Sequence, residues 1–510
     1  MIATTDTKTY SLQQDAKQPG MNAVSDPGSP DDESATTDDA PKGNFLWSRK
    51  KLFAVLLSAM ASSLAWAVQV GYSTPTLLHL GMHPDTVGLA WLAGPLSGII
   101  VQPLIGILSD NCQSKFGRRR PFILGAALST ALSLILFSQT ERIGRALLGE
   151  NELQIKFSLS LAIFIFCMMD CSINAMMAPT RALIADLVPT SQQSEATAYV
   201  SIHDGLGKAT GYLIGSINLE KLLPRLGGEL QIVFMGAAIL IVVFCLITVC
   251  LANDDRKYEG GYSGQHHSSG PNFIRAVCTS FAVIPRLPKA VRRAFFIQFC
   301  NSFAWFSFMV YGTDYFGQHI NKGLPWAVTG SVDRMNYDEG VRIGNFALFF
   351  LSITSAGFAH CLAALIRRFS LISVFVVAEL HLMLTLLIMP FISTNQSAIL
   401  LYSVLGLTFA ATNTIPWMIV TREISRMPEA GVFSATFNLS QCLPQIIASL
   451  LSGPILLKYN GSVASIFVMG AVGAGLASCM ILALVEEHPN EYEQLDEGQT
   501  SNVSVVVRSH

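Results

Sequence analysis

The chain has 510 residues, of which 51% are hydrophobic and only 13% charged, and its formal net charge is −2. A soluble protein of this length would carry about 25% charged residues, so a water-facing globular enzyme is excluded, and without a basic block so is a nucleic-acid partner. The 10 cysteines form no CxxC pair and mostly sit in apolar runs, which argues against a disulfide framework or a metal site.

In chain order, residues 1–46 are rich in Asp, Ser, Thr, Gly and Pro and hold no apolar stretch. They read as a disordered acidic tail, not a secretory signal. A membrane span needs about 20 mostly apolar residues to cross a hydrocarbon core about 30 Å thick. Such runs occur near 52–78, 86–109, 121–139, 157–179, 197–219 and 231–252. The polar stretch 253–290 follows, then runs near 292–316, 343–366, 371–392, 397–421, 431–457 and 463–485. The expected organisation is a tail over 1–46, a six-helix half over 47–252, a cytoplasmic linker over 253–290, a second six-helix half over 291–486 and a tail over 487–510. The fold class is an all-α membrane protein of twelve transmembrane helices. Lys and Arg crowd Arg49 to Lys51, Lys115 to Arg120, the linker, Arg367-Arg368 and Arg422 to Arg426, and thin out in the alternate loops. Positive charge marks the cytoplasmic side, so both termini are expected there. The lipid bilayer is the obligatory setting, with the plasma membrane as default and a vacuolar or other internal membrane as alternative.

Six spans, a linker and six spans resemble the two-half plan of the major facilitator superfamily, which places substrate at the interface of the halves. Gly106-Ile-Leu-Ser-Asp110, followed by Phe116-Gly117-Arg118-Arg119-Arg120-Pro121, resembles that superfamily's loop between helices 2 and 3. Gly106 would admit a neighbouring helix. Asp110 ends a helix and needs a cation, which three arginines can supply in one conformation and withhold in another. Gly106, Asp110, Gly117, Arg118, Arg119 and Arg120 therefore form a candidate conformational latch; the plainer alternative is that the arginines only set topology. The second half keeps only Arg367-Arg368-Phe369 at its matching loop.

The wider stretch from Ser109 to Ile123 is similar to the sucrose-transporter family, within the glycoside–pentoside–hexuronide cation symporters. Asn111 stands where that family usually has arginine. Trp66-Ala-Val-Gln69, Asp170 with Pro179-Thr-Arg181, Gly211-Tyr212, Gly312-Thr-Asp314-Tyr-Phe-Gly317, Gly340-Val-Arg342 and Leu443-Pro-Gln445 spread the likeness over the membrane core. Plant, fungal and animal branches all remain open.

Ionisable groups inside a span are costly, so each is a functional candidate. Asp170, Asn174, Met177 and Arg181 in the fourth span follow one helix face. Asp170 and Arg181 lie about 16 Å apart along the axis, too far for a direct pair, so a polar ligand can fit between them. Asp170 has no cation beside it on its own helix, as a reversible proton carrier requires. The resemblance implies that Asp170 is the proton-coupling and sugar-binding acid and that Arg181 serves substrate binding or coupling. Asp204 and Lys208, four apart in the fifth span, can neutralise each other; alternatively Lys208 is a second counter-ion for Asp170. Gly207, Gly211 and Gly215 beside them form a stripe suited to close packing.

Trp66 and Gln69 in the first span, Asn301 and Trp305 in the seventh, and Asn438 and Gln441 in the eleventh give amide-rich faces with aromatics. Sugar hydroxyls need donors and acceptors, and sugar ring faces suit aromatics. With Asn174 and Arg181 they are the expected substrate-binding set. His83, near the end of the first hairpin, is an entrance candidate, while Glu379, His381 and His360 receive no role. No GxxxxGK[ST], HExxH or GxSxG stretch occurs, so neither ATP drive nor enzymatic chemistry is expected. The expectation is proton-coupled symport of a disaccharide or glucoside of the sucrose or maltose class by alternating access, with the proton as coupling ion and no cofactor. A facilitator or antiporter on the same fold, or a non-transporting sugar sensor, is the alternative.

Overall fold

The computed structural model describes residues 47–252, 273–424, 427 and 430–487. The predicted tails over 1–46 and 488–510, and residues 253–272 of the predicted linker, lie outside the described residues. Among the described residues the fold is helical, with twelve helices of 18 residues or more. They are α1 (Leu57–His79), α2 (Ala93–Asp110), α3 (Arg120–Leu148), α4 (Glu152–Leu187), α5 (Gln193–Ser216) and α6 (Glu229–Leu251). The second set is α7 (Lys289–Asp314), α8 (Val332–Phe369), α9 (Leu371–Ile388), α10 (Asn395–Ile424), α11 (Ala430–Lys458) and α12 (Ala464–Glu487). Ten are long and apolar enough to cross a membrane, and α1 makes an eleventh when joined to the short helix Arg49–Val55, from which it bends by 41°. The twelfth is α5, whose Asp204 and Lys208 fall on a helix packed between α1 and α8. A helix shielded by protein can carry polar groups that lipid would penalise.

Local chemistry places the ends. Asn151 caps α4 by accepting from the Gln154 amide at 2.8 Å, just after Gly149 has turned the chain at φ +69°. Ser331 accepts from the Arg334 amide and starts α8 at Val332. The expected span at 343–366 is thus too short, and Arg334 and Arg342, expected in a loop, sit on the helix. The predicted linker also contains order: Phe273–Val283 is a helix and Ile284–Arg286 a tight turn before α7.

The two halves repeat one packing scheme. In each, the first helix packs on the fourth, fifth and sixth, the second on the fourth, and the third on the fourth and sixth. The predicted glycine stripe fits this scheme: a side chain at Gly207, Gly211 or Gly215 would strike Met60, Ala67 or Tyr72 of α1. Between halves, the second helix of each meets the fifth of the other (α2 with α11, α8 with α5), and α1 meets α7.

That interface is tight at the end where α1 finishes at His79. Thr74 Oγ1 of α1 donates to the Val310 carbonyl of α7 at 2.8 Å, and Thr313 Oγ1 of α7 donates to the Gly71 carbonyl of α1 at 3.0 Å. In each helix the donor lies three positions beyond the acceptor, so the two bonds are related by the internal repeat. Nearby, Gly88 abuts Ser449 and Ser452 of α11. At mid-length a side chain at Gly98 would meet Cys442 at 3.2 Å, whereas at the triple-arginine end one at Gly106 would meet nothing within 4 Å. The helices α2 and α11 therefore approach closely toward the His79 end and at mid-length, and the helix Phe273–Val283 packs against both. The close neighbour expected at Gly106 is absent in this arrangement, where a side chain would meet nothing within 4 Å.

Candidate functional site

The expected polar residues gather into groups around the line between the halves. Asp170 on α4 is 5% exposed, and its Oδ1 accepts from Gln69 Nε2 of α1 at 2.9 Å. Its Oδ2 and the Gln69 Oε1 are buried with no partner. Gly94 of α2 faces the carboxyl, where a side chain would come within 3.5 Å. Two orphan acceptors side by side form a receptor for hydroxyl or proton donors, because leaving each unmet costs about 1–3 kcal/mol.

One turn further, Asn174 joins α4 to α2: its Nδ2 donates to Ser97 Oγ at 2.7 Å and its Oδ1 accepts from Gln102 Nε2 at 2.5 Å. This network touches the second half through Gly98 and Cys442, and Asn438 Nδ2 donates to Cys442 Sγ at 3.6 Å. The α4 stripe also changes character along its length. Asp170 is buried, Asn174 and Met177 are half-buried and Arg181 is exposed. Access thus rises along α4 from Asp170 toward Arg181.

Arg181 lies within electrostatic reach of Asp204. Asp204 is held by Lys208 at 2.7 Å and by Ser63 Oγ of α1 at 2.6 Å, and its side chain is 47% exposed. The self-neutralised pair is the observed arrangement, and Lys208 is engaged by Asp204, not Asp170. Its ammonium stands 5.4 Å from the Trp66 ring and 5.1 Å from the Phe409 ring of α10. Phe409 meets Trp305 edge-to-face at 4.8 Å. Trp66, Lys208, Phe409 and Trp305 therefore make an aromatic and cationic bridge across the halves, and Phe409 is the member that sequence reading misses.

Other expected members turn elsewhere. Asn301 donates to the Thr412 carbonyl at 3.1 Å and Trp305 Nε1 to Thr412 Oγ1 at 2.9 Å, both toward α10 within their own half. Gln441 is half-buried on α11. The expected set does not include Asp314, which is 1% exposed at the end of α7 and receives Tyr337 Oη at 2.6 Å and Gln318 Nε2 at 2.8 Å. The motif from Gly312 to Gly317 contains this acid, and its charge is the signal that could have singled it out. Glu379 is fully buried with both oxygens unpartnered.

The arginine loop is built as a network. Arg119, with its side chain 6% exposed, binds Asp110 at 2.5 Å, Asp186 at 2.9 Å and Ser109 Oγ at 2.6 Å, and Arg118 binds the same Asp186 oxygen at 2.9 Å. Gly117 turns the loop at φ +105°, a conformation side chains disfavour. Arg120 opens α3 ahead of Pro121. At the opposite end, His83, Asp85, Trp326 and Asn460 help line a cavity of about 440 Å³ shared by both halves. Among the described residues no His, Cys, Asp and Glu cluster suited to a metal occurs, and the ten cysteines are free thiols.

A family model described as Major Facilitator Superfamily matches residues 52–449. The chain is 33% identical to the general alpha-glucoside permease of Schizosaccharomyces pombe over 313 residues, 60% of this chain and 54% of the permease. It is 28% identical to the sucrose transport protein SUC4 of Arabidopsis thaliana over 476 residues, 86% of this chain and 90% of that protein. In structure it is similar to a point mutant of the nucleoside transporter NupG, with a TM-score of 0.61 at 14% identity, covering 85% of this chain and 99% of that one.

Proposed function

The chain belongs to the major facilitator superfamily, and from that premise we propose that it carries a disaccharide or glucoside of the sucrose or maltose class across a membrane together with a proton. The names of the sucrose and alpha-glucoside relatives support the substrate class. The observation that carries the coupling is Asp170: a buried acid with one oxygen held by Gln69 and the other unmet, at the closed head of a stripe that opens toward Arg181.

In this reading both termini are cytoplasmic, the triple-arginine end faces the cytoplasm and the His79 end faces outward. The arrangement described is then open inward. Facing outward, Asp170 takes a proton and can donate it to a sugar hydroxyl, while Gln69 and Asn174 supply further polar partners. The bridge of Trp66, Lys208, Phe409 and Trp305 offers ring faces and a cation from both halves at once, so a bound sugar favours their closure. Rocking of the halves then exposes the sugar and proton to the Arg181 side. The Asp110, Arg118, Arg119 and Asp186 network holds the inner ends of α2, α3 and α4 as one body during that movement.

The test is a radiotracer uptake screen in proteoliposomes with sucrose, maltose, other glucosides and hexoses, run with and without an inward proton gradient. A disaccharide or glucoside should accumulate, faster at lower external pH, and evoke inward current. Binding without flux would instead support a sensor, and flux indifferent to the gradient a facilitator.

A further inference from the structure

The outward end holds a histidine placed so that its two ring nitrogens face opposite halves of the molecule. His79 is the last residue of α1, with a side chain 26% exposed. Its Nδ1 accepts from Arg334 Nη1 of α8, in the second half. Its Nε2 lies 3.8 Å from Glu141 Oε2 of α3, in its own half. These are the charged groups that face the imidazole. Behind them, Arg334 is also held by Asp338 at 3.0 Å and by the Pro325 carbonyl, and Glu141 by Arg145.

The contact with Arg334 fixes the chemistry. Arginine has only donors, so this contact assigns Nδ1 as the accepting nitrogen and places the proton of neutral His79 on Nε2. A second proton can enter only at Nδ1. There it removes the acceptor that Arg334 uses and sets one cation against another. Protonated His79 keeps a favourable partner in Glu141, and Arg334 keeps Asp338 and Pro325. Each partner then belongs to the residue's own half. One proton thus exchanges a contact between the halves for contacts within them.

We propose that His79 is a proton-binding site distinct from Asp170, and that its protonation from outside releases the outer closure of the carrier. The imidazole is part-exposed at the end of its helix, which gives external protons access to it. Acid outside would then do two things: load the coupling acid and present the carrier in the orientation that accepts sugar. The proposal rests on the carrier reading above but not on the role of Asp170.

The experiment measures the outer distance between the halves in the full chain in proteoliposomes. Spin labels attached through a ketone side chain at Glu220 and at Val328, both exposed and in different halves, leave the native cysteines untouched. Between pH 8 and pH 5 the ratio of open to closed outer populations should rise about tenfold, the scale of one charge-assisted hydrogen bond. His79→Gln, which keeps an acceptor but cannot gain charge, should remove that rise. Arg334→Met should raise the open fraction at pH 8 and flatten the response. Asp170→Asn should keep the rise intact even as it abolishes accumulation, so a failure of the coupling role and a failure of this site are told apart. A wild-type protein without the pH response, or a His79→Gln or Arg334→Met protein that retains it in full, would overturn the proposal.

Discussion

Replacing Asp170 by asparagine isolates the proton from the shape of its site. The new side chain is nearly isosteric, its carbonyl can still accept from Gln69, and its amide takes the place of an oxygen that has no partner. The fold should therefore lose no more than about 1 kcal/mol. What is lost is the exchangeable proton. A potential of 100 mV supplies about 2.3 kcal/mol per charge moved, and one pH unit adds about 1.4 kcal/mol. Their sum of about 3.7 kcal/mol permits several hundredfold accumulation with one proton per sugar. In proteoliposomes with imposed gradients, the wild type should approach that ratio, while Asp170→Asn should equilibrate sugar and stop near unity. Downhill exchange of sugar should persist, because Gln69, Asn174 and the aromatic bridge are untouched. A variant that still concentrates sugar refutes the assignment of Asp170 outright.

Lys208→Ala leaves Asp204 with the Ser63 hydroxyl and the more distant charge of Arg181, and should lower uptake at least tenfold and cost about 1 kcal/mol of stability, a figure kept small by the exposure of Asp204; the double change with Asp204→Asn should restore much of both, and no restoration would mean that Lys208 acts on something other than its pair. Asp186→Asn removes the oxygen shared by Arg118 and Arg119; sugar binding by calorimetry should survive while the uptake rate falls about tenfold, whereas loss of binding would place the network in the site itself. Gly207→Leu forces a side chain onto the α1 backbone and should lower thermal stability by several kcal/mol, as reported by fluorescence melting, while Gly236→Ala on α6, with no atom within 4 Å, should be neutral or mildly stabilising.

Much of the architecture is legible in the sequence because lipid imposes a simple rule: long apolar runs, interrupted by arginine-rich loops, translate into helices and their ends. The stripe of Asp170, Asn174 and Arg181, the pairing of Asp204 with Lys208, and the packing of Gly207 to Gly215 follow from helical periodicity alone. The failures have a common cause, which is that periodicity gives a face but not the helix it meets. Asn301 shares a face with Trp305 as expected, yet its amide donates to the Thr412 carbonyl of its own half. Phe409 reads like any lipid-facing phenylalanine until α10 sets it beside Lys208. Arg342 reads as a loop residue because its charge ends the apolar run; in the fold it binds Glu229 of α6 at 2.7 Å, and Tyr72 Oη donates to the same carboxylate at 2.9 Å. Pairing lets both charges lie inside helices where a hydropathy reading expects neither.

The ties at the His79 end also bear on the energy that reorientation requires. Thr74 to Val310, Thr313 to Gly71, Arg342 to Glu229 and Arg334 to His79 are four polar links between the halves. Each is worth about 0.5–1.5 kcal/mol net, or somewhat more where charged, once water replaces it on opening. Their total is therefore a few kcal/mol, the same scale as the energy carried by one proton. A carrier needs this balance: much stronger ties would trap it in this arrangement, and much weaker ones would let the halves part without a load. Closer packing where Gly106 now faces open space would offset the ties broken at the other end, since a second helix can approach a glycine closely.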